Sequence, residues 1–277
     1  MTFGSVELSA RVERAESRLI ADSVAEAVRR GAPGAFATPL AGGVAAFARP
    51  GSPLNKVAGA GFSGPLDERA LAEVEAAYAA RETAVRFELS TLGDPSLPAL
   101  LTRRGYVLEG HEHVLGRPLP TPPPLERHDL QVLRSSDHER PLWLDTVIEG
   151  FAHPDDQGVA SGESFPRELL VETMDDMAGV EGFVRYLAWR RGSVAGGGSL
   201  READGVAILC GAATLPAHRR RGVQTALLAA RLDDAGRGGC DVAIVTTQPG
   251  SKSQENVQKQ GFALLYARAV LVKAHGA

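Results

Sequence analysis

The 277-residue chain is 44% hydrophobic, enough to bury a core in each of two domains of ordinary size. A net charge of −4 and a sequence pI near 6.0 argue against nucleic acid as the main partner. Two cysteines, Cys210 and Cys240, give neither a disulfide framework nor metal-ligand spacing, and no apolar run is long enough to span a membrane.

Leu8 to Arg30 reads as a charged amphipathic helix with Val12, Ala15, Leu19, Ile20 and Val24 on one side. It lacks the apolar core of a signal peptide, so a cytoplasmic protein is expected. Leu66 to Arg81 repeats the helical period through Ala70, Leu71, Val74, Ala77 and Tyr78. Its opening, Ser63-Gly-Pro-Leu-Asp-Glu68, places proline and acids where a helix start favours them. Val85 to Thr91 is a strand, and Gly105-Tyr106 leads into a closing strand with His111 and His113 on a solvent-facing surface. Arg117-Pro-Leu-Pro-Thr-Pro-Pro-Pro124 reads as a stiff, extended linker.

Beyond the linker, Leu142 to Ile148 is helical and ends at Glu149. Phe151 to Glu163 is a long polar loop of the kind that covers a site, and its Asp155, Asp156 and Glu163 suit a cationic amine. His153-Pro-Asp-Asp has no second ligand cluster, so no metal is expected. A helix over Phe165 to Met177 follows, then a strand over Gly205 to Leu215 that carries no Asp, Glu or His.

Leu215-Pro-Ala-His-Arg-Arg-Arg-Gly-Val-Gln-Thr225 carries the most information. A basic turn delivers the chain into a helix built on Val223, Ala226, Leu227 and Ala230. The first-turn N–H groups of a helix have no partner within it and its dipole is positive there, so this is a site for a phosphorylated ligand. Gly222 allows close approach or a positive φ, and Arg219, Arg220 and Arg221 add cationic charge. Cys240 to Thr247 is then a strand, and Ser251 to Gln260 a polar helix carrying Asn256. Gly261-Phe262 precedes closing strand sequence over Leu264 to Val272 that contains Tyr266.

Shifting the chain on itself by 156 residues aligns 62–116 with 218–272 without a gap. Helix, strand, Gly-aromatic pair and closing strand coincide, which predicts two copies of one fold. The first copy has Ser63-Gly-Pro-Leu-Asp-Glu68 in place of Arg219-Arg-Arg-Gly-Val-Gln224, Leu100 in place of Asn256 and Gly110 in place of Tyr266. It keeps the fold and lacks the site.

Arg219-x-x-Gly222, followed in order by Asn256, Gly261-Phe262 and Tyr266, resembles the GCN5-related N-acetyltransferase (GNAT) superfamily over about residues 130–273. Gln224 stands where that family's loop has Gly or Ala. The resemblance implies an α+β (α/β-type) architecture of two tandem GNAT-fold domains, each a mixed, mostly antiparallel sheet flanked by helices. The boundaries expected are 1–119 for a degenerate domain, 120–127 for the linker and 128–277 for a catalytic domain. It implies an acetyl-CoA-dependent N-acetyltransferase acting directly on a primary amine. The two strands over 206–215 and 241–247 would splay, with the pantetheine between them bonded by backbone around Ala213 to Leu215. The pyrophosphate would sit on N–H groups of Arg221, Gly222, Val223, Gln224 and Thr225, and Asn256 would bond the pantetheine arm or the strand end. One N–H near Leu215 would polarise the thioester, Tyr266 would be the general acid, and Glu149 and Phe151 would line the acceptor side.

The partners expected are a small-molecule or peptide amine and, as an option, a second copy of the chain, with no nucleic acid and no membrane. The competing reading is a non-catalytic acyl-CoA-binding or regulatory module, on the strength of Gln224 and the missing strand carboxylate. A nucleotide-binding α/β protein lacks both the P-loop Lys-Ser/Thr and the dinucleotide glycine pattern.

Overall fold

The computed structural model describes residues 4–121, 128–154, 157–159 and 165–275. In chain order the elements are α1 (Val6–Arg29), β1 (Phe36–Leu40), β2 (Gly43–Phe47), β3 (Lys56–Ala58), α2 (Glu68–Ala79), β4 (Val85–Ser90), α3 (Leu97–Arg103) and β5 (Val107–Pro118). There follow β6 (Leu130–Arg134), α4 (Arg140–Ala152), α5 (Arg167–Ala178), β7 (Phe183–Arg190), β8 (Ser193–Ala203) and β9 (Val206–Thr214). The last are α6 (Val223–Arg237), β10 (Val242–Thr247), α7 (Lys252–Lys259) and β11 (Ala263–Lys273). The internal repeat is present element for element, with α2, β4, α3 and β5 recurring as α6, β10, α7 and β11. Among the described residues no helix is long and apolar enough to cross a membrane.

Two compact units result. The N-terminal unit is Phe3–Leu115 with Thr246–Pro249 and Leu264–Ala277, and the C-terminal unit is built on Gly116–Val245 and Gly250–Ala263. The C-terminal unit orders its strands β10-β9-β8-β7-β6, antiparallel except for the parallel β9–β10 pair. Trp143 is buried beneath its sheet, with its indole N–H donated to the Gly198 carbonyl at 3.1 Å and its ring set edge-on to Phe183.

The N-terminal unit runs β1-β2-β3-β4-β11-β5 and buries Leu71, Val74, Tyr78, Phe87, Leu97 and Leu101 in one core. Its membership departs from the sequence expectation, because the closing strand β11 packs with the N-terminal unit rather than with residues 128–263. The cause is register and charge. β11 pairs antiparallel with β4 from Arg268–Ser90 to Lys273–Val85, and Arg268 is buried against α1. Chain continuity after the proline run hides such a crossing. Residues 122–127 of the expected linker lie outside the described residues.

The charge cluster that receives β11 is dense. Arg268 donates from Nε to Glu13 at 2.7 Å and from its two terminal nitrogens to Glu16 at 3.0 and 2.6 Å, while Lys56 bonds Glu88 at 2.6 Å. Glu112 lies 3.5 Å from Arg268, and burial, reinforced by the charge of Glu88, pushes its carboxyl up to about 7. A carboxyl raised on folding contributes stability that is full below its ordinary value of 4.5 and lost as pH rises through about 7. Glu112→Gln is therefore expected to make the N-terminal unit more stable than wild type at pH 8, with the two proteins converging near pH 5. Urea denaturation at both pH values checks this, and an equal increment at both would count against it.

Candidate functional site

The site is built from β8 upward. Gly196, Gly197 and Gly198 line the middle of β8, and a Cβ on Gly196 would lie 3.0 Å from Val223 Cγ1, so α6 can settle its first turn on the strand. The β8–β9 register slips between Gly197 and Ser199, opposite Gly211, which takes a left-handed φ of +58°. This bulge bends β9. Pairing of β9 with β10 runs only from Val206–Val242 to Ile208–Ile244, so Leu209 to Thr214 continue without a registered partner on that side.

A single 3₁₀ turn over Pro216–His218, which the sequence reading missed, follows β9. The chain then passes Arg220 at φ +57° and Gly222 at φ +77° before α6 begins. Gly222 is the N-cap and offers no side chain to the first-turn N–H groups, so they remain open to an anion. In the first copy Asp67, one residue past the position that aligns with Gly222, caps α2, accepting from Arg69 N at 2.9 Å. A carboxylate already occupies the positive end of that helix. One acetyl-CoA per chain is therefore the expected calorimetric stoichiometry, and two would show that the N-terminal unit also binds.

Arg219 turns away from the loop and donates to the main-chain oxygens of His153 and Pro154 at the end of α4. It ties loop to helix. Arg220 and Arg221 are exposed, Val223 is buried, Gln224 is half-buried and Thr225 exposed. Ala213 is buried against α4, where a Cβ on Gly150 would come within 2.4 Å of its own. Leu215 N–H donates to the Ala195 carbonyl at 3.0 Å, so that particular donor is spent on the sheet. The Thr214 hydroxyl at the end of β9 is buried and has no partner among the described residues, and the same is true of His218 Nδ1.

Glu149, next to Gly150 on α4, is half-exposed, 3.2 Å from His153 Nδ1 and 3.5 Å from Arg167. Phe151 is exposed at 37%. Of the loop beyond, Asp155, Asp156 and Glu163 lie outside the described residues. Gly158 bridges to Ser251 at the start of α7, and Val159 N–H donates to the Gly250 carbonyl at 3.1 Å. The same helix carries Asn256, half-buried and without a side-chain hydrogen bond among the described residues.

Tyr266 is placed differently from the expectation. It lies on β11 in the N-terminal unit, is 4% exposed, and donates its hydroxyl to Glu13 at 2.7 Å. Burial, together with the negative charge of Glu13, drives its phenol well above the usual tyrosine range. The hydroxyl is bonded within the charge cluster of the N-terminal unit. The helix period of α6 carries one further signal, since Arg231 falls on the buried stripe of Val223 and Leu227 at four-residue spacing.

A model of the acetyltransferase (GNAT) family matches residues 152–262, which span α5 through α7 and include the bulge, the loop and Asn256. Among solved structures the chain is similar to a GCN5-related N-acetyltransferase from Kribbella flavida, at 18% identity and a TM-score of 0.64 over 94% of this chain and 96% of that one. It is also similar to a tandem GNAT protein from the clavulanic acid biosynthesis pathway, at 14% identity and a TM-score of 0.61 over 95% and 94%. At these identities the likenesses, which span both units, are likenesses of fold. No curated protein sequence matches the chain.

Proposed function

We propose, from the match of residues 152–262 to a model of the acetyltransferase (GNAT) family, that the protein is an N-acetyltransferase moving the acetyl group of acetyl-CoA to a primary amine of a small molecule. The observation that carries this reading is the sequence of β9 leaving β10 at Ile208, the left-handed Gly222 and the uncapped start of α6. That arrangement offers an extended strand edge and an anion site on one continuous stretch of chain.

In this reading the N–H groups of Val223, Gln224 and Thr225 take the pyrophosphate, with Arg220 and Arg221 supplying charge around it. The backbone of Ala213 and the orphaned Thr214 hydroxyl meet the pantetheine, and Asn256 bonds its arm. Acetyl-CoA supplies a thioester-activated acetyl group. The amine must arrive with its lone pair free. Because β9 bears no Asp, Glu or His, Glu149 is the carboxylate we assign to the acceptor side, next to Phe151. The proton for the leaving thiolate does not come from Tyr266 in this reading.

The second reading, a non-catalytic acyl-CoA-binding module, draws on the same two observations: the bare β9 and the committed Tyr266 hydroxyl. Release of CoA thiol across a panel of amines separates the two. Amine-dependent thiol release supports the transferase. Tight acetyl-CoA binding with no release on any amine favours the module, and no binding removes both.

A further inference from the structure

Arg231 is a buried cation without a counter-charge. It is 2% exposed on α6, and among the described residues no carboxylate pairs with it. Its Nε donates to the Leu227 carbonyl at 3.0 Å, and Nη1 donates to the carbonyls of Ser199 at 3.1 Å and Cys210 at 3.5 Å. Ser199 Oγ donates to the same Cys210 carbonyl at 2.7 Å. Gly198 makes the room, since a Cβ there would lie 3.3 Å from the guanidinium carbon. Burial pulls the guanidinium down to about 10. A hydrocarbon side chain of similar length would fill this space without the desolvation cost of a lone charge.

Of the three carbonyls that Arg231 meets, that of Cys210 also accepts from the Ser199 hydroxyl. In a trans peptide the carbonyl and the N–H point in opposite directions. The Cys210 carbonyl faces Arg231 and Ser199, so the Gly211 N–H points to the other side of β9, where pairing with β10 has already ended. Donors on a carbonyl strengthen the N–H of the same peptide as a donor. Gly211 is also the left-handed residue of the bulge, so the group that polarises this peptide is also bonded to both strands that the bulge joins.

We propose that Arg231 is a positioning residue for the acyl group: it fixes the β9 bulge and polarises the Cys210–Gly211 peptide, so that the Gly211 N–H donates to the carbonyl oxygen of a thioester bound along β9. This rests on the acyl-CoA reading above.

The test is the carbonyl stretch of carbonyl-¹³C-labelled acetyl-CoA bound to wild type, Arg231→Met, Arg231→Lys and Ser199→Ala, with affinity measured for CoA and acetyl-CoA. Wild type is expected to shift the stretch below its value in water. Arg231→Met should lose most of that shift and about tenfold in kcat, with CoA affinity held within threefold, because the pyrophosphate site is untouched. Arg231→Lys keeps the charge but not the fork and should retain part of the shift. If the methionine variant fails to fold, Ser199→Ala removes a neutral donor from the same carbonyl and should give a smaller shift of the same sign. A wild-type stretch at its aqueous value, or one unchanged in all variants, overturns the inference alone. A wild-type chain that binds no acetyl-CoA overturns the reading and the inference together.

Discussion

Replacing Gly222 with valine is expected to raise the dissociation constant of acetyl-CoA more than tenfold. Gly222 holds φ at +77°, where a residue with a Cβ is strained by about 1–2 kcal/mol and a β-branched one is worse off. The valine side chain also stands at the start of α6, where the anion must approach the N–H groups of Val223 to Thr225. Losing one good charge-assisted bond is enough for the tenfold, since each 1.4 kcal/mol is a decade in affinity. Asparagine tolerates the left-handed region better, so Gly222→Asn separates strain from crowding and should lose less. The loss should be the same for CoA and acetyl-CoA, unlike the change at Arg231, which concerns only the acyl carbonyl. Calorimetry on folded protein decides the matter. Unchanged affinity for both ligands would remove this loop from the binding site.

The elements around that loop were legible because local rules and packing agree there. Gly222 needed a positive φ, the strand before it was apolar and uninterrupted by charge, and α6 repeats on a four-residue stripe. The repeat was legible for the same reason, since α2 and α6, β4 and β10, and β5 and β11 each keep their own period. Two things were not legible. The destination of β11 depends on which strand it pairs with, and a strand of alternating apolar residues carries no address. The contact of Arg219 with the end of α4 was hidden because composition cannot show that the main-chain oxygens of His153 and Pro154 stand within its reach. Tyr266 shows the limit most plainly, because its spacing from Gly261 and Asn256 fitted the family while its hydroxyl was already bonded to Glu13, 253 residues away in the chain.

Arg268→Met should be the most destabilising single change in the N-terminal unit, about 3–5 kcal/mol at pH 8. The side chain is 0% exposed and binds Glu13 and Glu16, with Glu112 at 3.5 Å and Glu88 at 3.9 Å. Taking it away leaves those carboxylates facing Lys56 and Arg86, which lie beside Glu88. The penalty comes less from the lost attraction than from burying uncompensated negative charge. It must therefore depend on pH. With the guanidinium gone the carboxyls of Glu13 and Glu112, already raised by burial, rise further, so at pH 5 protonation relieves much of the strain, and the loss grows as pH rises. Arg268→Lys keeps a charge but cannot engage Glu13 and Glu16 together, and should fall between wild type and methionine. Tyr266→Phe removes only one donor to Glu13 and should cost about 1.5–3 kcal/mol in the same assay. Those three values, measured by urea denaturation at pH 5 and pH 8, test whether the cluster anchors β11. A methionine variant as stable as wild type at pH 8 would mean the four carboxylates are held by other means. A phenylalanine variant with full stability and a selective loss of kcat would return Tyr266 to the reaction.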